Sequence, residues 1–88
     1  MRTFKDLEFK ENDTHMNSGI FSTMMFENGY GVSVIRTQMS YGNKEGLFEL
    51  AVLDSTGDIT YDTPITSDVL GWLTEDDVSR VMGEVQSL

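Results

Sequence analysis

The chain has 88 residues, with 15 acidic side chains against 6 basic ones, no cysteine and a formal net charge of −9. A chain of this length forms one domain with a modest core. Without cysteine it can hold neither disulfides nor thiolate metal ligands, which favours a reducing compartment. Its apolar runs fall short of the roughly 18 residues that a membrane span requires, and its charged first residues do not resemble a signal peptide.

The negative charge is concentrated in the second half of the chain. Residues 1–44 carry equal numbers of acids and bases, whereas residues 45–88 carry ten acids and a single base, Arg80. Such a surface repels phosphate backbones, which disfavours direct nucleic-acid binding, and it attracts basic proteins. It also serves solubility alone. The candidate partner-binding carboxylates are Glu45, Glu49, Asp54, Asp58, Asp62, Asp68, Glu75, Asp76, Asp77 and Glu84.

An Asn28-Gly29 pair between two apolar runs predicts a β-hairpin with strands at about 19–27 and 30–39. Asn-Gly favours a two-residue type I′ turn, whose central residues both need positive φ. Neither face of this hairpin is cleanly polar, which predicts that both faces are covered, one of them by another element or by a second copy of the chain. The candidate interface residues are Ile20, Met24, Phe26 and Ile35, which this register places on one face, together with Trp72.

Further strands are predicted at about 5–10, 47–54 and 58–62, with Pro64 ending the last of them. A short helical turn is predicted at about 67–72, capped by Thr66 or Ser67. The clearest helix spans about 75–87, because Thr74 is a good N-cap and an apolar stripe follows it at helical spacing. The pattern predicts a single α+β domain: an antiparallel meander of four to five strands with a C-terminal amphipathic helix on one face.

Residues that could carry chemistry are few. The single histidine, His15, lies in a polar loop beside Asp13, and general-base catalysis needs an oriented partner and a pocket. The carboxylates of residues 75–77 point about 100° apart on a helix, so they suit the helix dipole better than a metal ion. Asp54, Asp58 and Asp62 lack the spacing of a calcium loop. The sequence therefore predicts no enzyme, no cofactor and no metal site.

Four segments resemble small acidic proteins encoded by tailed bacteriophages: Phe26-Glu-Asn-Gly-Tyr-Gly-Val-Ser-Val34, Glu49-Leu-Ala-Val-Leu-Asp54, Thr60-Tyr-Asp-Thr-Pro-Ile-Thr-Ser-Asp-Val-Leu-Gly71 and Leu73-Thr-Glu-Asp-Asp-Val78. The resemblance covers most of the chain from Gly19 onward and transfers no functional residue. It implies a protein made in the cytoplasm of an infected bacterium. Small phage proteins of this kind often inhibit or modulate host machinery, including restriction and CRISPR systems.

Three functions follow as hypotheses. The first is a protein that binds and inhibits or modulates a basic host or phage protein through its acidic surface, in its narrowest form as a nucleic-acid mimic against a defence nuclease. The second is a structural or self-assembling homodimer without inhibitor activity. The third is a small enzyme with a pocket that includes His15, Arg36 and a carboxylate. In the first two, an exposed Trp72 would act as a binding anchor.

Overall fold

The computed structural model describes residues 1–12, 18–37, 40, 43–66 and 68–88. Its strands are β1 Lys10–Asn12, β2 Gly19–Met25, β3 Gly31–Thr37, β4 Phe48–Leu53 and β5 Leu70–Leu73; its helix is α1 Glu75–Gln86; 3₁₀ turns lie at Phe4–Asp6 and Asn43–Glu45. The strands form one antiparallel sheet in the order β1-β2-β3-β4-β5. The predicted α+β fold, a meander with a C-terminal helix packed on it, is confirmed.

The core lies between α1 and one face of the sheet, which we call the inner face. The central strands contribute side chains that are less than 2% exposed, and α1 contributes its buried apolar stripe. Burial of this kind stabilises the fold by roughly 25 cal/mol for each Å² of apolar surface removed from water. The residues are Val32, Val34, Leu50 and Val52 from the sheet and Val78, Val81, Met82 and Val85 from α1.

The opposite face of the sheet, the outer face, is open on the side of β2. Phe21 pairs with Ile35, and Ile35 pairs with Glu49, so these three side chains share this face. The side chains of Phe21 and Met25 are 37% and 45% exposed. Towards β4 the same face closes, since Leu53 is buried. The molecule therefore presents one sealed sheet face and one that is apolar and partly accessible.

The hairpin between β2 and β3 has a three-residue loop, Glu27-Asn28-Gly29. Phe26 N–H donates to the Tyr30 carbonyl over 2.7 Å, and Gly29 N–H donates to the Phe26 carbonyl over 3.2 Å. Gly29 has a φ of +89°, as expected for a type I turn followed by a left-handed residue. The predicted two-residue turn is therefore wrong by one residue.

The side chain of Asn28 explains the longer loop. Its Oδ1 accepts from the Tyr30 N–H over 3.1 Å, and its Nδ2 donates to the Val85 carbonyl over 2.8 Å. The second bond gives a further donor to the Val85 carbonyl at the C-terminal end of α1, which also accepts from the Leu88 N–H over 3.2 Å. A contact between the hairpin and a helix 57 residues later in the chain thus holds the turn.

The one-residue difference changes which side chains share a face. A slip of one position in pairing exchanges the two faces of a strand relative to its neighbour. Ile35 therefore lies on the outer face, opposite Phe21. Ile20, Met24 and Phe26 are partly buried against the core instead. The prediction that these three and Ile35 share one face is wrong.

The helical turn predicted at 67–72 is wrong in the described part of that range, because Leu70–Leu73 is strand β5. Ser67, one of its two candidate caps, lies outside the described residues. Leu73 is buried in the core and Leu70 packs against it, three residues earlier. A spacing of three residues between apolar positions is typical of one helix face, which is why the sequence pattern predicted a helical turn here.

A β-bulge is what brings the two leucines of β5 to the same face. The pairs Phe48↔Leu73 and Leu50↔Leu70 leave two residues of β5, at 71 and 72, opposite the single residue Glu49. An extra residue in one strand adds one position to the usual period of two. Apolar residues three apart therefore fit a bulged strand as well as a helix.

The strand predicted at 58–62 is wrong, since the structure shows only an isolated bridge between Leu53 and Ile59 there. One further backbone bond, from Thr60 N–H to the Val52 carbonyl over 2.9 Å, holds this segment beside β4. The chain then leaves the sheet, and Ile65 packs against the core. The edge of β4 that does not pair with β3 pairs with β5 instead.

The first predicted strand, 5–10, is wrong over most of its length. Residues Phe4–Asp6 form a 3₁₀ turn, and β1 begins only at Lys10. Phe4 N–H donates to the Ser79 hydroxyl of α1 over 2.9 Å. Its ring lies 5.1 Å from the Phe48 ring in an edge-to-face arrangement, which is favourable for aromatic pairs. These contacts with α1 and with the Phe48 ring of β4 hold residues 4–6 in a turn that does not pair with the sheet.

Candidate functional site

The carboxylates of the second half of the chain belong mainly to segments that neighbour one another in the fold. Most of them lie in β4, in the segment between β4 and β5, or directly after β5, and those two strands are adjacent at one edge. We call this set the acidic edge. It consists of Glu49, Asp54, Asp58, Asp62, Asp68, Glu75, Asp76 and Asp77, which are exposed or half-buried.

The turn after β4 holds two of these carboxylates in a fixed arrangement. Asp54 Oδ1 accepts from the Thr56 hydroxyl over 2.6 Å and from the Thr56 and Asp58 N–H groups over 2.9 and 3.2 Å. Hydrogen bonds to the charged form favour it, so those from Thr56, the largest cause, lower the pKa of Asp54. The turn therefore keeps this carboxylate ionised through a wide pH range.

A second group of carboxylates lies at the start of α1. Thr74 Oγ1 accepts from the Asp77 N–H over 3.1 Å, and Asp77 Oδ2 accepts from the Thr74 N–H over 3.0 Å. This reciprocal arrangement is a capping box, and its bonds from Thr74 lower the pKa of Asp77. Glu75 and Asp76 are exposed in the same turn, where the helix dipole favours negative charge.

Glu49 differs from the other members of the acidic edge. Its side chain is half-buried on the outer face, opposite the bulge of β5. Burial is the largest cause that raises its pKa, and the negative charge of Asp68 raises it further. The ionised form of Glu49 is thus disfavoured by its surroundings, and a nearby cation would stabilise it.

Two of the predicted carboxylates lie away from the acidic edge. Glu45 is exposed in the 3₁₀ turn before β4. Glu84 lies on α1, 3.7 Å from the Arg80 guanidinium, which is also 3.7 Å from Asp77. Exposed pairs of this kind contribute little stability. Because Arg80 is the single base of the second half, its pairing on the helix leaves the sheet part of the acidic edge without a basic neighbour from that half.

Two bases of the first half lie in β1 and beside β4. Lys10 is in β1, at the far edge of the sheet from β5. The guanidinium of Arg36 lies 5.0 Å from the centre of the Phe48 ring and donates to the Gly46 carbonyl over 3.3 Å. The acids of the second half thus lie mainly around β4 and β5, while β1 carries both Lys10 and Glu11, and the Arg36 guanidinium reaches Phe48 of β4.

Trp72 lies at the bulge of β5 and is 57% exposed. Its φ is +59°, and no other residue besides glycine has a positive φ within the described ranges. For a bulky side chain such a backbone is an outlier that costs on the order of 1–3 kcal/mol. The sequence pattern of a Gly-Trp pair between two leucines could have indicated a bulge, had the period of three not indicated a helix first.

A groove of about 680 Å³ lies where the hairpin tip, the N-terminal segment and the end of α1 meet. Its polar groups bond to one another: Arg2 N–H donates to Gln86 Oε1, and Gln86 Nε2 donates to the Arg2 carbonyl, each over 2.8 Å. The groove therefore lies between three segments that are bonded to one another, and none of the ten predicted carboxylates lines it. Its lining residues are Met1, Arg2, Asp6, Met25, Phe26, Glu27, Asn28 and Gln86.

Of the residues named for a possible enzyme site, the structure describes Arg36 but not His15. His15 and Asp13 lie outside the described residues. Arg36 bonds near Phe48, on the β3–β4 side of the sheet, away from the groove. Within the described ranges, no group of three or more histidine or acidic residues is arranged to hold a metal ion. Sequence reasoning did not single out Phe21 and Met25 as exposed, because their exposure depends on the register of the hairpin.

Comparison of the chain with protein-family models, with curated proteins and with solved structures gave no match. The resemblance to small phage proteins therefore stays a prediction. Among the described residues, no helix has the length and apolar character needed to cross a membrane.

Proposed function

We propose that this protein acts by binding a basic protein through its acidic edge, rather than by catalysing a reaction. The observation that carries the proposal is the excess of negative charge in the segments around β4 and β5. Eight carboxylates lie in β4, between β4 and β5 or directly after β5, and the single base of that half of the chain is engaged on α1. A one-signed surface of this kind steers and orients a partner of opposite charge.

Two carboxylates of the acidic edge are held in place, which supports recognition over simple solubility. The carboxylates of Asp54 and Asp77 are held by hydrogen bonds to neighbouring backbone and hydroxyl groups. Side chains that are already ordered lose less conformational entropy when a partner binds. Freely rotating surface carboxylates would serve solubility equally well and would need no such restraint.

The phage resemblance gives this proposal its cellular setting. In that setting the protein is made in the cytoplasm of an infected bacterium, where it inhibits or modulates a host or phage protein. The narrower form of the proposal is nucleic-acid mimicry, in which the carboxylates occupy a groove on a defence nuclease that normally receives phosphates. Under this form, duplex DNA competes with the protein for the same partner.

The experiment is affinity capture from infected bacterial cells with the full chain as bait, followed by mass spectrometry and by binding assays on the purified partner. We expect a basic partner whose affinity falls by at least about tenfold between roughly 0.05 and 0.5 M NaCl, because screening weakens contacts between exposed charges. A partner that binds equally well at both salt concentrations contradicts the proposal.

A matched pair of variants separates position from total charge. Replacing Asp58, Asp62 and Asp68 by Asn removes three charges from the acidic edge. Replacing Glu8, Glu11 and Glu27 by Gln removes three exposed charges from the neutral half. We expect the first variant to lose affinity and salt dependence, and the second to bind like the original protein. Equal losses in both would mean that only net charge matters.

A further inference from the structure

We propose that the outer face of the sheet docks an arginine-bearing segment of the basic partner, with the indole of Trp72 and the carboxylate of Glu49 receiving the guanidinium group. The inference rests on the proposed function, since it names the chemistry by which the basic partner is held. It adds a surface that the acidic edge alone does not define.

A single row of side chains crosses the outer face. Successive antiparallel pairs place Lys10, Phe21, Ile35 and Glu49 opposite one another, and the bulge of β5 places Trp72 beside Glu49. We call these five residues the outer row. Because neighbouring strands lie about 4.8 Å apart, the row from Phe21 to Trp72 spans about 14 Å. That length fits a short extended segment or one turn of a partner.

The outer row is apolar in its middle and acidic at one end. Phe21 is exposed, Ile35 is half-buried, and Glu49 lies beyond them next to the negative charge of Asp68. Glu75 and Asp76 follow Trp72 by three and four residues and are exposed. An occupant must therefore bring apolar surface for Phe21 and Ile35 and a cation for the end at Trp72.

A second copy of the chain does not meet this requirement. Each copy carries a net charge of −9, and a symmetric pair would bring two sets of carboxylates together over the same face. Like charges across an interface are unfavourable. A heterologous partner with positive charge relieves the repulsion between Glu49 and Asp68, whereas a second copy adds to it.

The chemistry at Trp72 favours arginine over lysine. The planar guanidinium stacks on an indole face and can donate two parallel hydrogen bonds to a carboxylate at the same time. An ammonium group has no flat face to stack and is more strongly hydrated. Trp72 and Glu49 lie on neighbouring strands at the bulge, whose backbones are about 4.8 Å apart, so one guanidinium can reach both side chains.

The positive φ of Trp72 supports a binding role for its indole ring. A bulge protects the exposed edge of a sheet from pairing with other chains. That protection needs only the extra residue, and glycine or asparagine would accept its positive φ without strain. A tryptophan in this conformation, 57% exposed, contributes nothing to edge protection that glycine would not.

The test uses hexa-arginine and hexa-lysine peptides, each with a fluorescent label, as the probes. Their dissociation constants are measured by fluorescence anisotropy with the full chain at low salt. We expect hexa-arginine to bind about threefold more tightly than hexa-lysine, as one exposed cation–π contact provides. In the unlabelled titration, the emission of Trp72, the single tryptophan, should change with hexa-arginine.

The variants distinguish the outer row from the remaining charge. Trp72→Ala should abolish the preference for arginine, and Trp72→Gly should do so while relieving the backbone, which covers the case in which the alanine variant folds poorly. Tyr61→Ala removes another exposed aromatic ring, outside the outer row, and should keep the preference. Glu49→Gln should weaken hexa-arginine binding more than Glu8→Gln, although each removes one charge.

The outcomes separate this inference from the proposed function. If both peptides bind but Trp72→Ala and Trp72→Gly keep the preference for arginine, the inference fails while the acidic edge remains a cation-binding surface. If neither peptide binds at low salt, both fail. If light scattering shows a dimer that Phe21→Ala or Trp72→Ala dissociates, a second copy occupies the outer face and the inference is overturned.

Discussion

The two faces of the sheet are built from the same strands but meet different surroundings. On the inner face, Val34 and Leu50 pair across β3 and β4 and are fully buried under α1. On the outer face, Phe21 and Ile35 pair across β2 and β3, and Phe21 remains exposed. Both faces carry apolar side chains, but α1 covers the inner face, whereas among the described residues the outer face is buried towards β4 and exposed at Phe21 and Met25. The comparison teaches that apolar composition alone does not identify the core of a small sheet.

The largest expected effect comes from truncating one residue on each face. Leu50→Ala should lower the free energy of unfolding by about 3 kcal/mol, since it opens a cavity among side chains that cannot collapse fully. Phe21→Ala removes a larger side chain but should cost about 1 kcal/mol or less, because much of it is already in water. Urea unfolding of the two variants measures the difference. Equal losses would show that the outer face is as sealed as the inner one.

A smaller effect comes from the helix that covers the inner face. Thr74→Ala removes the acceptor of the Asp77 N–H and should cost about 1 kcal/mol. Thr74→Ser keeps the hydroxyl and should retain most of the stability. The preference for hexa-arginine over hexa-lysine should be unchanged in both variants below their unfolding temperatures, because neither substitution alters Trp72 or Glu49. A loss of that preference would mean that the two faces are not independent.

The same helix offers a control of opposite sign. A Cβ at Gly83 would meet no heavy atom within 4 Å outside the helix's own backbone, so Gly83→Ala should raise the free energy of unfolding by about 1 kcal/mol. Thermal unfolding should therefore move up for this variant and down for Thr74→Ala. If the unfolding temperature fell in both variants, a methyl group at position 83 would be causing a steric clash that outweighs the gain in helix propensity.

The smallest expected effect is the pH dependence of the outer carboxylate. Burial and the charge of Asp68 raise the pKa of Glu49 above its ordinary value of 4.5, so the folded state disfavours its charged form. This group therefore costs stability at neutral pH, and the cost disappears as the pH falls through that folded-state pKa. Glu49→Gln should raise stability at pH 7 and have no effect below pH 4.5.

Asp77 provides the contrast for that measurement. Its folded-state pKa is lowered from 3.8, mainly by hydrogen bonds from Thr74. Its contribution is therefore present above 3.8 and is lost as the pH falls through the lowered value. Asp77→Asn should reduce stability at neutral pH, so the two substitutions should act in opposite directions. The same sign for both would contradict the assigned causes.

Local signals in the sequence predicted the fold class and the elements with strong periodicity. Thr74 and the stripe after it predicted a helix from 75, and the nearly continuous apolar run around β4 predicted a strand; both are present with small differences in length. These signals succeed because capping and amphipathic spacing depend on residues close in the chain. The same applies to the loop between β2 and β3, whose position Asn28-Gly29 indicated.

The sequence did not predict what distant contacts decide. Asn28 bonds to the Val85 carbonyl, which adds a residue to the turn and changes the face of Ile35. Phe4 bonds to Ser79, which replaces a predicted strand with a 3₁₀ turn. The exposure of Phe21 and Trp72, and thus the outer row, depends on the first of these contacts and on the bulge. Pattern reasoning carries no information about such pairings.

Each strand of this sheet pairs with its neighbour along the chain. Assembly of the sheet therefore needs only short segments to close, which favours rapid folding. The contacts with α1 are different, because the bond from Phe4 to Ser79 joins residues 75 positions apart and that from Asn28 to Val85 joins residues 57 apart. These two bonds can form only once α1 is present, so the N-terminal turn and the hairpin tip gain their last hydrogen bonds after the segment that is synthesised last has folded.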